Sequence, residues 1–164
     1  MTAEQIIKML DLKPHPEGGY FRESYRSEEG IPLEGLPEGY SGPRNFSTAI
    51  YYLLTPGTCS RMHRLASDEV FHFYLGDPVH WVLLLPGGDV QRVTMGSLIE
   101  RGHKVQMTMP AGTWFGGSLS EGGIFGLMGT TVAPGFDVDD FTLAGREELL
   151  KGWPSATKDI ERLT

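Results

Sequence analysis

Two side chains that can transfer protons stand close together in the stretch GTCSRMHRLASDEVFHFYLG, residues 57–76: His63 and Glu69. A histidine and a carboxylate that face one chamber suit general acid–base catalysis, because each can hold or release a proton near the working pH. The same two residue types also ligate divalent metals. The stretch therefore predicts either a proton-handling pocket or a metal site, and a hydrogen-bonded pair inside a filled core is the structural alternative.

The first half of this stretch reads as a strand that carries His63. Side chains on a strand alternate between its two faces, so Leu65 shares the face of His63. The same alternation places Arg61 on that face and Arg64 on the other. We therefore expect Arg61 to be available to an anionic group of a ligand.

The second half reads as a strand that opens at Glu69. On this strand Glu69 shares a face with Phe71 and Phe73, whereas His72 takes the opposite face. If Glu69 points inward it lies among apolar side chains, and desolvation should raise its pKa. His72 is then expected at the surface or at an interface rather than in the pocket.

Several other residues are candidates for binding a small ligand. The segment PHPEGGYF groups polar side chains beside two glycines, which allow close approach to the backbone. Ser47 and Tyr52 open the first strand of the middle region. Gln106 offers a neutral amide, and Trp114 and Phe115 offer aromatic surface for stacking. The alternative for the aromatic pair is simple core filling. In chain order the candidates are His15, Glu17, Tyr20, Ser47, Tyr52, Gln106, Trp114 and Phe115.

The elements that must position these residues are mostly strands. Short apolar runs divided by Gly, Pro or Asp fill residues 45–136, a pattern typical of a sandwich or barrel. Helical patterning precedes them, with Thr2 and Gln5 spaced as a capping box, and returns in the tail. The sequence predicts one all-β domain over residues 1–164, with a barrel core at about 45–136. An N-terminal helix and two short C-terminal helices, within about 145–164, complete it.

Composition narrows the classes of partner. The net charge of −7 and the pI near 5.2 argue against a nucleic-acid partner, which requires clustered Lys and Arg. The longest strongly apolar run, VHWVLLLP, is too short to cross a bilayer, so no membrane partner is expected. Cys59 is the single cysteine, which excludes an internal disulfide and makes a cytoplasmic location the expectation.

Two motifs carry a resemblance to the cupin superfamily. Gly57, His63, Glu69 and Gly76 match the spacing of the first cupin motif, with Leu65 at the position of its second histidine. PAGTWF, residues 110–115, resembles the second motif, with Phe115 at the position of its histidine. Together with PHPEGGYFRESYRS, HRLASDEVFHFYLG and APGFDVDDF, these stretches resemble the cupin_5 family. The resemblance implies an RmlC-like double-stranded β-helix, or jelly roll, that encloses a ligand cavity, and a homodimer.

The resemblance also implies what a metal would require. Cupins that hold Mn, Fe, Ni or Zn use three histidines and one carboxylate, and here Leu65 and Phe115 replace two of these ligands. Only His63 and Glu69 remain, whereas catalytic sites typically use three protein ligands, so we expect no cofactor. A divalent transition metal completed by another side chain is the alternative.

The resulting functional expectation is a cupin that binds a small polar ligand, sugar- or nucleotide-like, in its barrel. The leading hypothesis is a metal-independent isomerase or epimerase that uses His63 and Glu69 as an acid–base pair. The alternatives are a metal-dependent cupin enzyme and a non-catalytic ligand-binding homodimer.

Overall fold

The apolar runs of the middle region form strands that pair into two facing antiparallel sheets. The computed structural model describes all residues, 1–164. Numbered in chain order, the strands of the larger sheet lie side by side as β1 (Lys13–Pro14), β2 (Tyr20–Arg26), β5 (Thr48–Leu54), β12 (Gly126–Val132), β7 (Glu69–Gly76) and β10 (Gln106–Met109).

The second sheet has five strands. They lie side by side as β13 (Phe141–Leu143), β6 (Cys59–Leu65), β11 (Trp114–Leu119), β8 (Val79–Leu84) and β9 (Val90–Met95). A small two-stranded ribbon joins β3 (Gly30–Ile31) to β4 (Arg44–Asn45) within the segment that precedes β5. Neighbours along the chain often lie in different sheets, as expected for a jelly roll.

Three short helices cover the outside of the sheets. The helix α1 (Ala3–Met9) begins with the predicted capping box, in which Thr2 and Gln5 each bond to the other's backbone N–H. The helices α2 (Arg146–Gly152) and α3 (Thr157–Leu163) form the tail. The all-β fold with one N-terminal and two C-terminal helices is as predicted. None of the helices is both long enough and apolar enough to span a membrane.

The apolar side chains divide among three buried clusters. The central cluster lies between the sheets and contains Tyr52, Phe71, Trp81 and Phe115. A second cluster lies between the five-stranded sheet and the helices α2 and α3, and a third packs α1 on the outer face of the larger sheet. On β5 the side chains of Thr48, Ile50 and Tyr52 face the interior.

Candidate functional site

A cavity of about 130 Å³ lies between the two sheets. Sixteen residues line it, and half of these are hydrophobic. The polar residues that line it include His15, Glu17, His63, Glu69 and Thr130. The two motif residues therefore share one chamber, and side chains from outside the motif join them there.

His63 projects into the chamber from β6 and is held by a backbone contact. Its Nδ1 lies 2.7 Å from the carbonyl oxygen of Arg61. A carbonyl oxygen can only accept a hydrogen bond, so Nδ1 carries a proton. The other ring nitrogen, Nε2, faces the chamber. Behind the ring lies Phe115, whose centroid is 4.2 Å from that of His63, which leaves the imidazole 2% exposed.

Glu17 is the closest acidic partner of His63. Its Oε2 lies 3.1 Å from His63 Nε2, and its Oε1 accepts a hydrogen bond from Ser60 Oγ at 3.0 Å. The carboxylate of Glu17 therefore stands beside the inward-facing ring nitrogen of His63, close enough for a proton to pass between the two side chains.

A tight turn brings Glu17 to this position from the connection between β1 and β2. Gly18 and Gly19 both have positive φ, and a Cβ on Gly18 would collide with the carbonyl oxygen of Cys59. The Tyr52 hydroxyl donates to the Gly18 carbonyl at 2.8 Å. Burial raises the pKa of Tyr52 well above its ordinary value, so this hydroxyl keeps its proton. The glycine pair and Tyr52 thus fix the backbone next to Glu17.

Glu69 opens β7 and points into the same chamber. Burial, and then the charge of Glu17, raise its pKa well above the usual range, which favours its protonated form. Its Oε1 is 3.8 Å from His63 Nε2, too far for a hydrogen bond, and has no hydrogen-bond partner in the protein. Glu69 therefore presents a carboxyl oxygen without a partner at the cavity wall.

His15 also lines the chamber, next to Glu17. Its Nδ1 accepts a hydrogen bond from the backbone N–H of Glu17 at 3.2 Å, so this nitrogen is unprotonated. Burial lowers the pKa of His15, with a smaller opposing effect from Glu17. His15 is thus a neutral imidazole whose Nε2 holds the proton, and it packs edge-on against Phe21 at 4.5 Å between ring centroids.

An ion pair lies at the rim of the cavity. The guanidinium of Arg26 donates from Nε and Nη2 to the carboxylate of Glu23, at 2.9 and 2.8 Å. Its Nη1 donates to Asn45 at 2.8 Å, and the carbonyl of Phe136 accepts from the same group at 3.2 Å. Arg26 is the only Lys or Arg side chain that lines the cavity, and protein groups already occupy its donors.

The structure corrects the predicted direction of Arg61. Phe115 pairs with His63 and Gly117 pairs with Ser60, so β6 holds one residue more than β11 over this interval. This β-bulge interrupts the alternation, and Arg61 points to solvent although His63 points inward. The Arg61 Nη2 donates to the Pro16 carbonyl at 2.6 Å, and its backbone N–H donates to the Glu17 carbonyl at 2.9 Å. Arg61 holds the Glu17 loop and does not face the ligand chamber.

Of the remaining candidates, Tyr52 lines the cavity, and Phe115 lies behind His63. Four others lie elsewhere. Trp114 packs in the cluster beneath α2 and α3, with the Arg64 guanidinium 4.4 Å from its ring centroid. Tyr20 packs beside α1, and Ser47 donates to the Val132 carbonyl at 3.0 Å.

Gln106 also lies away from the cavity. It is exposed on β10 and bonds to His72, which faces away from the chamber as predicted.

Five polar residues of the site escaped the sequence-based prediction: Glu23, Arg26, Thr48 and Thr130 line the cavity, and Ser60 holds Glu17. Ser60 bonds to Glu17, which only the bulge in β6 makes possible. Thr130 lines the cavity from β12 and is 3% exposed, and its Oγ1 has no hydrogen-bond partner in the protein. A threonine within a strand is ordinary in sequence, so no signal distinguished it.

The two-sheet jelly roll with a polar cluster between its sheets is the architecture of the cupin superfamily. Oxalate decarboxylase from Bacillus subtilis has the same fold: the TM-score is 0.56 at 15% identity, over 94% of this chain and 37% of that one. Within the superfamily the chain belongs to the Cupin_5 family, described as cupin superfamily (DUF985), whose family model matches residues 4–144.

More similar proteins agree with this assignment. The uncharacterized protein YML079W of Saccharomyces cerevisiae is 34% identical over 157 residues, which cover 90% of this chain and 78% of the yeast protein. A hypothetical protein from Leishmania major has a TM-score of 0.90 at 34% identity and covers 100% of this chain and 99% of its own. Protein SO0799 from Shewanella oneidensis has a TM-score of 0.87 at 34% identity, and the match covers 100% of this chain and 98% of that one.

The residues present do not fit the four-ligand metal site that the superfamily implies. Leu65 and Phe115 place hydrocarbon where two histidines would stand, and neither has a lone pair to donate. The remaining imidazole nitrogen, His63 Nε2, is engaged by Glu17 at hydrogen-bond distance. No three histidine, cysteine or acidic side chains are arranged so that they could hold an ion.

Proposed function

We propose that this protein is a metal-independent acid–base enzyme of isomerase or epimerase type, acting on a small polar ligand inside the barrel. The observation that supports the proposal is that Glu69 and the His63–Glu17 pair face one chamber. In the proposed reaction Glu69 starts as the protonated acid, and the His63–Glu17 pair shares one proton. Their apolar surroundings strengthen electrostatic interactions with the reacting atoms.

The reaction is proton transfer at a carbon next to a carbonyl group. The His63–Glu17 pair accepts the proton from the carbon, and the electrons of the broken C–H bond form the C=C bond of an enol. Glu69 donates its proton to the carbonyl oxygen as the C=O π bond opens. Glu69 becomes a carboxylate while the pair gains a positive charge, so the net charge of the chamber is unchanged. For an isomer, the pair returns its proton to the neighbouring carbon while the Glu69 carboxylate takes the proton of the second enediol hydroxyl. For an epimer, a water molecule protonates the opposite face of the original carbon and the pair releases its proton to water, while the Glu69 carboxylate takes back the enol proton.

Deuterium exchange tests this proposal without knowledge of the natural substrate. Chelator-treated protein is incubated in D2O with a panel of small hydroxyketones and reducing sugars, and deuterium at the carbon next to the carbonyl is measured by NMR. We expect exchange that Glu69→Gln and His63→Gln reduce at least about 100-fold. Glu147→Gln, on the exposed face of α2, is the matched control and should exchange like the wild type.

Two other outcomes would replace the proposal. Binding of panel members without any exchange would favour the non-catalytic binding module. Exchange that appears only after addition of Mn, Fe, Ni or Zn would favour the metal-dependent enzyme.

We also infer a homodimer, since a strand edge is open beside the site. Strand β1 pairs only with Tyr20 and Phe21 of β2, so the outer edge of the rest of β2 has no neighbour. Open edges are commonly covered by another chain, and the large side chains of Tyr25 and Phe46 are 55% and 47% exposed. Light scattering coupled to size-exclusion chromatography should give about twice the 18.1 kDa chain mass, and a monomer mass would contradict the inference.

A further inference from the structure

Two buried polar atoms face the cavity without a partner, and they lie on neighbouring strands. Thr130 Oγ1 and Glu69 Oε1 both lack a hydrogen bond within the protein. In the β12–β7 pairing, Thr130 lies opposite Phe71 and Val132 lies opposite Glu69, so Thr130 and Glu69 are diagonal neighbours on the inner face. Diagonal pairs are about 7–8 Å apart, which lets one small ligand contact both. Leaving a buried polar group without a partner is unfavourable, so each atom is suited to bind a ligand group.

The charges around the chamber restrict what that ligand can be. The ionisable side chains that line it are Glu17, Glu23, Glu69, Arg26, His15 and His63. Arg26 is held at the rim by Glu23, and His63 by Glu17. His15 accepts a backbone N–H through Nδ1 and is a neutral ring. An anionic ligand group would therefore be buried beside carboxyl groups without a free cation to offset its desolvation.

The cavity volume limits the size of the buried part. About 130 Å³ is slightly less than the roughly 150 Å³ of an engineered cavity that holds benzene. The buried part of the ligand is thus about the size of one six-membered ring. Ile50, Leu65, Phe71 and Val132 supply apolar surface for its carbon skeleton.

We propose that the chamber selects an uncharged, hydroxyl-bearing ring or short carbonyl compound and rejects anions. Thr130 determines this selection by forming a hydrogen bond with a hydroxyl group of the ligand. Glu69 meets the neighbouring carbonyl oxygen. The inference rests on the proposed function for the role of Glu69, whereas the role of Thr130 concerns binding alone. Sugar-like ligands fit this chemistry, and phosphates or carboxylates fit it only where they remain outside the rim.

Methyl NMR with three matched probes tests the selection. The probes are 2-hydroxycyclohexanone, cyclohexanone without the hydroxyl, and cyclohexanecarboxylate with a charge on the same ring. Methyl resonances of Ile50, Leu65, Thr130 and Val132 report binding inside the cavity. At neutral pH we expect 2-hydroxycyclohexanone to shift these methyls with a Kd at least about tenfold lower than that of the carboxylate. Equal or tighter binding of the carboxylate, or no shift with the hydroxyketone, would overturn the inference.

Variants of Thr130 test its particular role. Thr130→Val keeps the shape but removes the hydroxyl, and should raise the Kd of 2-hydroxycyclohexanone about three- to tenfold. The Kd of cyclohexanone should change less than about twofold, and Thr130→Ser should bind both probes like the wild type. Because the hydroxyl has no partner in the protein, Thr130→Val should fold with an undiminished melting temperature. Equal weakening of both probes would refute a role in hydroxyl recognition.

Deuterium exchange of the same hydroxyketone separates the two proposals. Selective binding without exchange contradicts the acid–base function and leaves the binding inference standing. Exchange together with equal or tighter binding of the carboxylate contradicts the inference and leaves the function standing.

Discussion

His63 Nε2 and Glu17 Oε2 lie 3.1 Å apart, although His63 belongs to a barrel strand and Glu17 to a turn outside the barrel motif. Long-range hydrogen bonds from Tyr52, Ser60 and Arg61 hold this turn in place. These contacts bring an imidazole and a carboxylate from distant parts of the chain together at the wall of the chamber.

We predict that Glu17 and His63 are energetically coupled. Removal of either side chain leaves the other buried without this polar contact, and an unpaired buried polar group costs about 1–3 kcal/mol. A double-mutant cycle with Glu17→Ala and His63→Ala, measured by urea unfolding at pH 7, should give a coupling free energy above about 1 kcal/mol. Additivity of the two substitutions within about 0.5 kcal/mol would show that the contact contributes nothing to stability.

We predict a distinctive pH dependence for Glu69→Gln. The pKa of Glu69 is raised in the folded protein above its ordinary value of 4.5, so between these two pKa values only the folded chain holds the proton. The wild-type stabilisation from Glu69 is therefore complete below about pH 4.5 and declines as the pH rises towards the folded pKa.

Glu69→Gln lacks the pH-dependent contribution of Glu69 to the free energy of unfolding. Other titrating groups, such as His15, contribute equally to both proteins and drop out of the difference. The free energy of unfolding of the wild type minus that of Glu69→Gln should fall by about 1.4 kcal/mol per pH unit above pH 5. Urea unfolding at half-unit steps from pH 5 to 7 measures this slope. A difference that is constant over the range would mean that Glu69 ionises as in the unfolded chain.

We predict that Arg61 acts on the loop that carries Glu17. Arg61→Ala removes the hydrogen bond from Nη2 to the Pro16 carbonyl, and should speed hydrogen exchange of the Gly18 amide, which otherwise bonds to the His15 carbonyl at 3.0 Å. The neighbouring Arg64→Ala is the control, because Arg64 lies over Trp114 on the other side of the sheet. Equal exchange rates in the two variants would remove Arg61 from this role.

We predict that metal binding can be introduced. Leu65→His with Phe115→His restores donors at the two hydrocarbon positions, so the double variant should bind Co2+ or Ni2+ near one equivalent. The wild type, purified without an affinity tag, should hold less than about a tenth of an equivalent, since two ligands bind weakly. Elemental analysis of both proteins decides this. Stoichiometric metal in the wild type would contradict the proton-based function.

Motif spacing and strand alternation predicted the fold and the inward direction of His63 and Glu69, because both depend on local sequence. Alternation failed at Arg61, where a bulge adds one residue to β6 and no turn residue marks it. Glu17 was recognised as a candidate, but its contact with His63 depends on a turn that folds back over another sheet. Thr130 gave no sequence signal, since only its missing hydrogen bond distinguishes it.

The protonation of the His63 ring tests the central claim most directly. Long-range 1H–15N NMR of the histidine rings at neutral pH, with His63 assigned by comparison with His63→Gln, reports which nitrogens hold a proton. We expect a protonated Nδ1, bonded to the Arg61 carbonyl, and a resonance of Nε2 that changes in Glu17→Ala because the shared proton is lost. A neutral ring with the proton on Nε2 and a bare Nδ1, unaltered by Glu17→Ala, would contradict the proton-sharing pair and the catalysis built on it.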